Sequence, residues 1–203
     1  MAEGIKTAYV KTPDGKVIEI GDHSHLGITK ADFKGMSGNL SNIVASNEIQ
    51  YTYAEPAKPT LTLTAVRPGS KLIAALTGKK KAGNSNLYVD GDTLPIVGVA
   101  VVTPNIGRDS DHLYVMPKCR ASVQSVSLST NTDSKRTMVY DQITFNANYD
   151  DEIGGLMADG DIETGSAATE LQAFGWSAPV QGDGDFKDDT SDSSAKPVAS
   201  STH

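Results

Sequence analysis

Apolar and polar residues alternate with a period of two along much of the chain. Thr60-Leu61-Thr62-Leu63-Thr64-Ala65 sets Leu61, Leu63 and Ala65 on one side and three threonines on the other. The span from Val139 to Tyr149 does the same at greater length. Ile143, Phe145, Ala147 and Tyr149 share the side of Val139, while Gln142, Thr144, Asn146 and Asn148 face away. Asp141 interrupts the apolar side. Ile49, Tyr51 and Tyr53 give a third run, and Val126 with Leu128 a fourth. Such alternation marks strands with one face in a core and one in polar surroundings.

Turn residues punctuate these runs. Pro13-Asp14-Gly15 separates Ile5–Thr12 from Lys16–Ile20 and predicts a hairpin, because Pro presets φ and Gly accepts positive φ. Asp90-Gly91-Asp92 precedes the apolar run Ile96–Val102, and Asn131-Thr132-Asp133-Ser134 separates Ser122–Thr130 from Lys135–Tyr149. The spacing predicts roughly nine or ten strands in a sandwich or barrel. One helix is predicted at Lys71–Leu76, with Ser70 as N-cap and Gly78 just past the end. At about two turns it needs a sheet to dock on.

Two stretches do not follow the strand pattern. Residues 21–46 carry Gly27, Gly35 and Gly38 among scattered apolar residues, and are expected to form a long loop, a candidate assembly loop, whose Phe33, Met36, Leu40 and Ile43 bury either against another subunit or back on their own domain. Residues 180–203 hold five Asp, two Lys and almost nothing apolar, which predicts a flexible acidic tail. The expected organisation is therefore one all-β domain over residues 1–179, a sandwich or small barrel with one short helix, followed by the tail.

The net charge of −7 argues against gripping nucleic acid by neutralising phosphates. A single cysteine excludes an internal disulfide and a cysteine-based zinc site. No apolar run approaches the ~20 residues of a membrane helix, and the N-terminus shows no apolar signal segment. His23-Ser24-His25 has Asp22 beside it, but a metal site needs three or four convergent ligands and His112 and His203 lie far off in sequence, so these are expected to be ordinary loop histidines. The acidic stretches Asp150-Asp151-Glu152 and Asp159-Gly160-Asp161-Ile162-Glu163 lack the spacing of a calcium loop and are expected to form a solvated or lumen-facing acidic surface. Cys119, between Lys118 and Arg120, is expected to be a half-buried strand residue rather than a nucleophile. Gly78-Lys79-Lys80-Lys81 fails the phosphate-loop spacing. No catalytic, metal or cofactor site is expected, and the chain is not expected to be an enzyme.

The order of parts carries a resemblance. Lys71-Leu72-Ile73-Ala74-Ala75-Leu76-Thr77-Gly78, then Leu87-Tyr88-Val89 and Ile96–Val102, resembles the helix and following strands of phage major tail proteins. His112–Arg120 and Thr137–Asn146 continue it, so that the similarity runs from Ser70 to Tyr149. This resemblance to tail tube proteins of long-tailed, siphovirus-type phages implies a sandwich whose copies form hexameric rings. The rings would stack around a tape-measure protein, between terminator and baseplate or distal tail proteins. The tube would be a virion component built in the host cytoplasm without a membrane, and DNA would pass through its lumen without specific binding. The polar side Gln142, Thr144, Asn146 and Asn148 is then a candidate lumen lining. The inner tube of a contractile tail or secretion system, and a carbohydrate-binding sandwich, are the alternatives. The aromatic content of 6% speaks against the last.

Overall fold

The computed structural model describes residues 4–21, 27–45, 48–66, 69–126 and 140–181. Two strands, β1 (Thr7–Lys11) and β2 (Val17–Gly21), form the expected first hairpin, with Gly15 at φ 84° in its turn. Next come β3 (Ile28–Lys34), β4 (Leu40–Ala45), β5 (Glu48–Ala54) and β6 (Thr60–Val66). Helix α1 (Ser70–Thr77) is followed by the two-residue strands β7 (Lys80–Lys81) and β8 (Tyr88–Val89). The chain continues through β9 (Val97–Pro104), β10 (Ser110–Val126), β11 (Tyr140–Ala147) and β12 (Ala158–Glu163). Helix α2 (Ala167–Ala173) and a short β13 (Val180–Gln181) complete it.

The main sheet runs β13-β2-β1-β9-β10-β11-β6-β3, with β12 also paired to β10. Strand β10 is its hinge. Its first half, Ser110–Val115, lies between β9 and β12, and its second half, Cys119–Val126, pairs with β11. The register shifts between Met116 and Cys119, where Pro117 stands. Proline has no N–H to give a ladder, so it falls where pairing is already interrupted and the strand can bend. The bend divides the sheet into a large part (β13-β2-β1-β9 with the start of β10 and β12) and a four-stranded part (the end of β10 with β11-β6-β3). The sheet does not close into a barrel.

The main core lies between these parts. Val10, Ile18, Val99 and Val101 meet Leu61, Leu63, Ile143 and Phe145, and α1 contributes Leu72 and Leu76. A second cluster forms on the opposite face of the large part, where Ala167, Leu171 and Trp176 cover Tyr9, Ala100, Val102, Leu113 and Val115. Strand β9 is consequently buried on both faces, which is why its sequence is an unbroken apolar run rather than an alternation. Gly98 admits Trp176 there: an added Cβ would stand 2.7 Å from the indole.

Four expectations need correction. Residues 21–46 are not one irregular loop, because they contain β3 and β4. The N-cap of α1 is Gly69 rather than Ser70, although Gly78 ends the helix in the left-handed conformation as expected. A second helix, α2, also exists. The expected tail begins as β13, paired in parallel with β2 at Ile18 and Glu19. Residues 182–203 lie outside the described residues, as do His23, His25, Val139 and Leu128.

Candidate functional site

The first surface is a hairpin. Strands β4 and β5 form a separate two-stranded sheet. Its neck is tight: Glu55 N–H donates to the Asn39 carbonyl at 2.8 Å, and Lys58 N–H to the Gly35 carbonyl at 3.1 Å. Gly35 has φ 64°, and a Cβ there would meet the Lys58 oxygen at 2.3 Å. A Cβ on Gly38 would meet the Glu55 oxygen at 1.5 Å. Beyond the neck, Leu40 is 74% exposed, Val44, Ile49 and Tyr51 each 62%, and Tyr53 43%.

Of the four contact residues expected from sequence, Leu40 lies on this hairpin and Met36, also exposed, at its neck. Ile43 is in β4, opposite Tyr51. Phe33 points elsewhere: from β3 it packs against the main core, its ring 4.9 Å from that of Tyr114. Val44, Ile49, Tyr51 and Tyr53 were missed as surface residues. The alternation of Ile49, Tyr51 and Tyr53 identified a strand but said nothing about whose core it would enter.

The second surface is the outer face of the four-stranded part. Gln142 and Asn146 are exposed and Thr144 is half-buried, while Ile143 and Phe145 between them are buried. Cross-strand register extends the polar residues into rows: Arg120, Asn146, Thr60 and Lys34, then Ser122, Thr144, Thr62 and Asp32. A third row holds Gln142, Thr64 and Lys30. The hydroxyls of Thr62 and Thr144 lie 3.2 Å apart. Asn148 falls beyond the end of β11, its N–H donating to the Lys118 carbonyl at 2.8 Å. In these rows the two central strands thus place only neutral residues, and charge is confined to the flanking strands: Lys30, Lys34 and Arg120 against Asp32, with Lys30 paired to Asp32 at 2.6 Å. The acidity of the chain is not carried by this face.

This part also has two free edges. Among the described residues, β3 has no partner on the side away from β6. The end of β10 has none opposite β11 once β9 stops pairing at Cys119.

The acidic residues serve the fold. Asp150 is buried and accepts from Lys118 Nζ at 2.7 Å and from the Glu152 N–H at 3.0 Å, on the wall of a cleft of about 510 Å³ shared with Pro117 and Trp176. The Lys118 hydrogen bond holds the Asp150 carboxyl below the usual carboxylate range. Its folded pKa is therefore depressed, so the stability it contributes is present above the unfolded value of about 3.9. That stability is lost as pH falls through the folded value. Asp150→Asn is expected to lower the melting temperature at neutral pH and to flatten its decline below pH ~4, as a melting series across pH would show.

Asp161 is likewise depressed, first by His112, whose Nδ1 lies 2.6 Å away, then by the Asn105 amide at 3.0 Å. Asp159 stands 3.4 Å from the other ring nitrogen. Among the described residues, no three His, Cys, Asp or Glu side chains converge as a metal ion would require. Cys119 is fully buried, its thiol pushed up by burial and directed at the Val97 carbonyl at 3.2 Å. Lys79 and Lys80 pair with Asp90 and Asp92, binding the turn after α1. Among the described residues, no helix is long and apolar enough to cross a membrane.

No curated protein matches the chain. A family model described as phage tail tube protein matches residues 4–161, which takes in β1 to β11 with α1 and ends within β12.

Proposed function

The chain belongs to the phage tail tube protein family, and from that premise we propose that it forms six-membered rings that stack into the tube of a long, non-contractile tail. As a member of that family it is a structural component of the virion tail that assembles with other tail proteins. The finer reading rests mainly on the open four-stranded sheet.

Successive strands in that sheet are antiparallel, and their number is even, so its two free edges run in opposite directions. Under rotation about a ring axis, β3 of one copy meets the end of β10 of the next in antiparallel sense. Each junction is then like the others, and the contact closes head to tail. Long unpaired edges invite pairing with another chain, and closure would remove both.

The outer face then becomes the lumen lining, with neutral amide and hydroxyl rows from β11 and β6 at the centre of each subunit. Such groups offer passing DNA hydrogen bonds no better than those of water, so it slides. The cations of β3 and β10 gather at the seams beside Asp32. Inside the ring the sheet would enclose the tape-measure protein during assembly and conduct DNA afterwards. Terminator and distal tail proteins would cap its ends.

Asp32 and Ser122 stand on opposite flanking strands of one row, so a chain carrying Asp32→Cys and Ser122→Cys places a thiol on each side of every seam. Buried Cys119 does not compete. Treating assembled tubes with a short bismaleimide is expected to give a denaturing-gel ladder ending at the ring number, six. Assembled tubes that yield only monomer would show that these edges do not meet.

A further inference from the structure

The chain is acidic, but the outer face of its four-stranded part is not. Among the described residues, the rows on that face carry Lys30, Lys34 and Arg120 against the single acid Asp32. That is a net +2 on a chain of −7, so the rest of the sequence holds −9. Asp32 is paired with Lys30 at 2.6 Å, which leaves Lys34 and Arg120 as the cations of the face without that acid. Both are exposed. They stand at the two ends of one row, Arg120, Asn146, Thr60 and Lys34, and neither residue between them is charged.

We propose that Lys34 and Arg120 form phosphate-contacting stations at the seams of the lumen, and that duplex DNA is the polyanion they meet. The proposal rests on the tube reading. When the free edge of β3 meets that of β10 on the next copy, the two ends of the row come together and cation stands beside cation. Like charges placed opposite one another across strands weaken the pairing. An anion lying over both reverses that effect. Symmetry favours DNA over an acidic protein as the anion. Six equivalent seams present the same cations in every direction around the axis, and a duplex carries one charge per ~1.7 Å of its length on all sides. An acidic helix offers carboxylates only at fixed places.

The magnitudes agree. Four strands from each of six copies, spaced ~4.8 Å apart and tilted, give a wall at least about 115 Å around, so about 37 Å or more across. Such a passage admits a duplex and keeps long side chains within reach of it. The eight residues of β11 span ~26 Å, over which a duplex carries on the order of 15 charges. Six copies at +2 each place +12 around it. The two charges are of one order, so the lining neutralises the duplex without overwhelming it. Exposed contacts of this kind are screened by salt and exchange readily. The neutral rows of β11 and β6 separate one station from the next, so DNA is centred and still moves.

Tubes of the full chain, grown from tail-tip seeds, are mixed with a short fluorescent duplex and sedimented across a salt series. Wild-type tubes are expected to retain the duplex at 50 mM salt and to release it toward 200 mM. Lys34→Gln with Arg120→Gln is expected to assemble at least as well as the wild type. It is expected to retain at least tenfold less duplex, with a salt slope smaller by about two. Lys71→Gln with Lys81→Gln removes the same charge from exposed positions on α1 and β7, and is expected to retain duplex like the wild type. Wild-type tubes that retain no duplex would overturn the stations and leave the tube reading standing. So would a lumen variant that retains as much as the wild type, a control that loses as much as the lumen variant, or retention of polyglutamate in preference to duplex. A lumen variant that fails to assemble would contradict the like-charged seam and overturn the stations as well. A wild type that forms no tubes even on seeds would overturn both readings.

Discussion

Gly38→Ala is expected to reduce tube assembly about a hundredfold or more, equivalent to roughly 2.7 kcal/mol, while the subunit body stays folded. The neck between the body and the β4–β5 hairpin has no room for a side chain at this position. An added Cβ would lie 1.5 Å from the Glu55 carbonyl oxygen and 2.7 Å from its carbon. Those are backbone atoms, so relief requires the two strands of the neck to separate. Separation breaks the 2.8 Å bond from Glu55 N–H to the Asn39 carbonyl and re-aims everything beyond it. Among the described residues the hairpin pairs with no strand of the main sheet, so the cost falls on its direction and not on the core. Gly160→Ala is the control. Gly160 sits in β12 with none of the described residues within 4 Å of an added Cβ, and its substitution is expected to leave assembly unchanged. Sedimentation of the assembled fraction, paired with thermal melting of the unassembled subunit, distinguishes loss of assembly from loss of fold.

Phe145→Ala is expected to cost about 3–5 kcal/mol of stability, which for a domain of this size lowers the melting temperature by on the order of 10 °C. Phe145 is fully buried in β11, between Ala121 of β10 and Leu61 of β6 in register. Nothing beside it can fill the volume of a lost ring without moving strands from both neighbours. The adjacent Asn146→Ala is expected to change stability by less than about 0.5 kcal/mol, because Asn146 is exposed on the opposite face. Calorimetry of the two variants therefore measures the two-sidedness of one strand. The contrast would collapse if the polar face were packed within the subunit itself.

That strand shows how much was legible in the sequence. A period of two read correctly where one face meets the subunit's own core, as in β6 and β11, and the Thr and Gln/Asn residues on their other face lie where the alternation placed them. The apolar run at β9 was also legible, since a strand covered on both faces has no polar positions to alternate with. Tyr149, expected to share the apolar side, lies instead beyond the end of β11 and is exposed.

The failures have physical causes. In β3 the inward residues are Ile28, Ala31 and Phe33, interspersed with Thr29, Lys30, Asp32 and Lys34, a charged pattern typical of edge strands that obscures the alternation. Helix α2 carries a single large apolar residue, Leu171, so it shows no stripe. Its signal was compositional: strong helix formers between Gly165 and Gly175, both at positive φ. The hairpin was the deepest limitation. Periodicity reports that one side of a strand will be buried, and in an assembling subunit the burial can be supplied by another chain. The register shift between Ile43 and Val44, which leaves apolar residues on both faces, is visible only in the pairing.

Assembly into a hollow tube of stacked rings is the role proposed for this subunit. Negative-stain electron microscopy of the purified full chain over a concentration series, with and without tail-tip seeds and with solution mass taken alongside, tests it directly. Rings of six subunits and hollow tubes of uniform diameter that lengthen from their ends are the predicted result. A monomer at every concentration, unchanged by seeds, would contradict it.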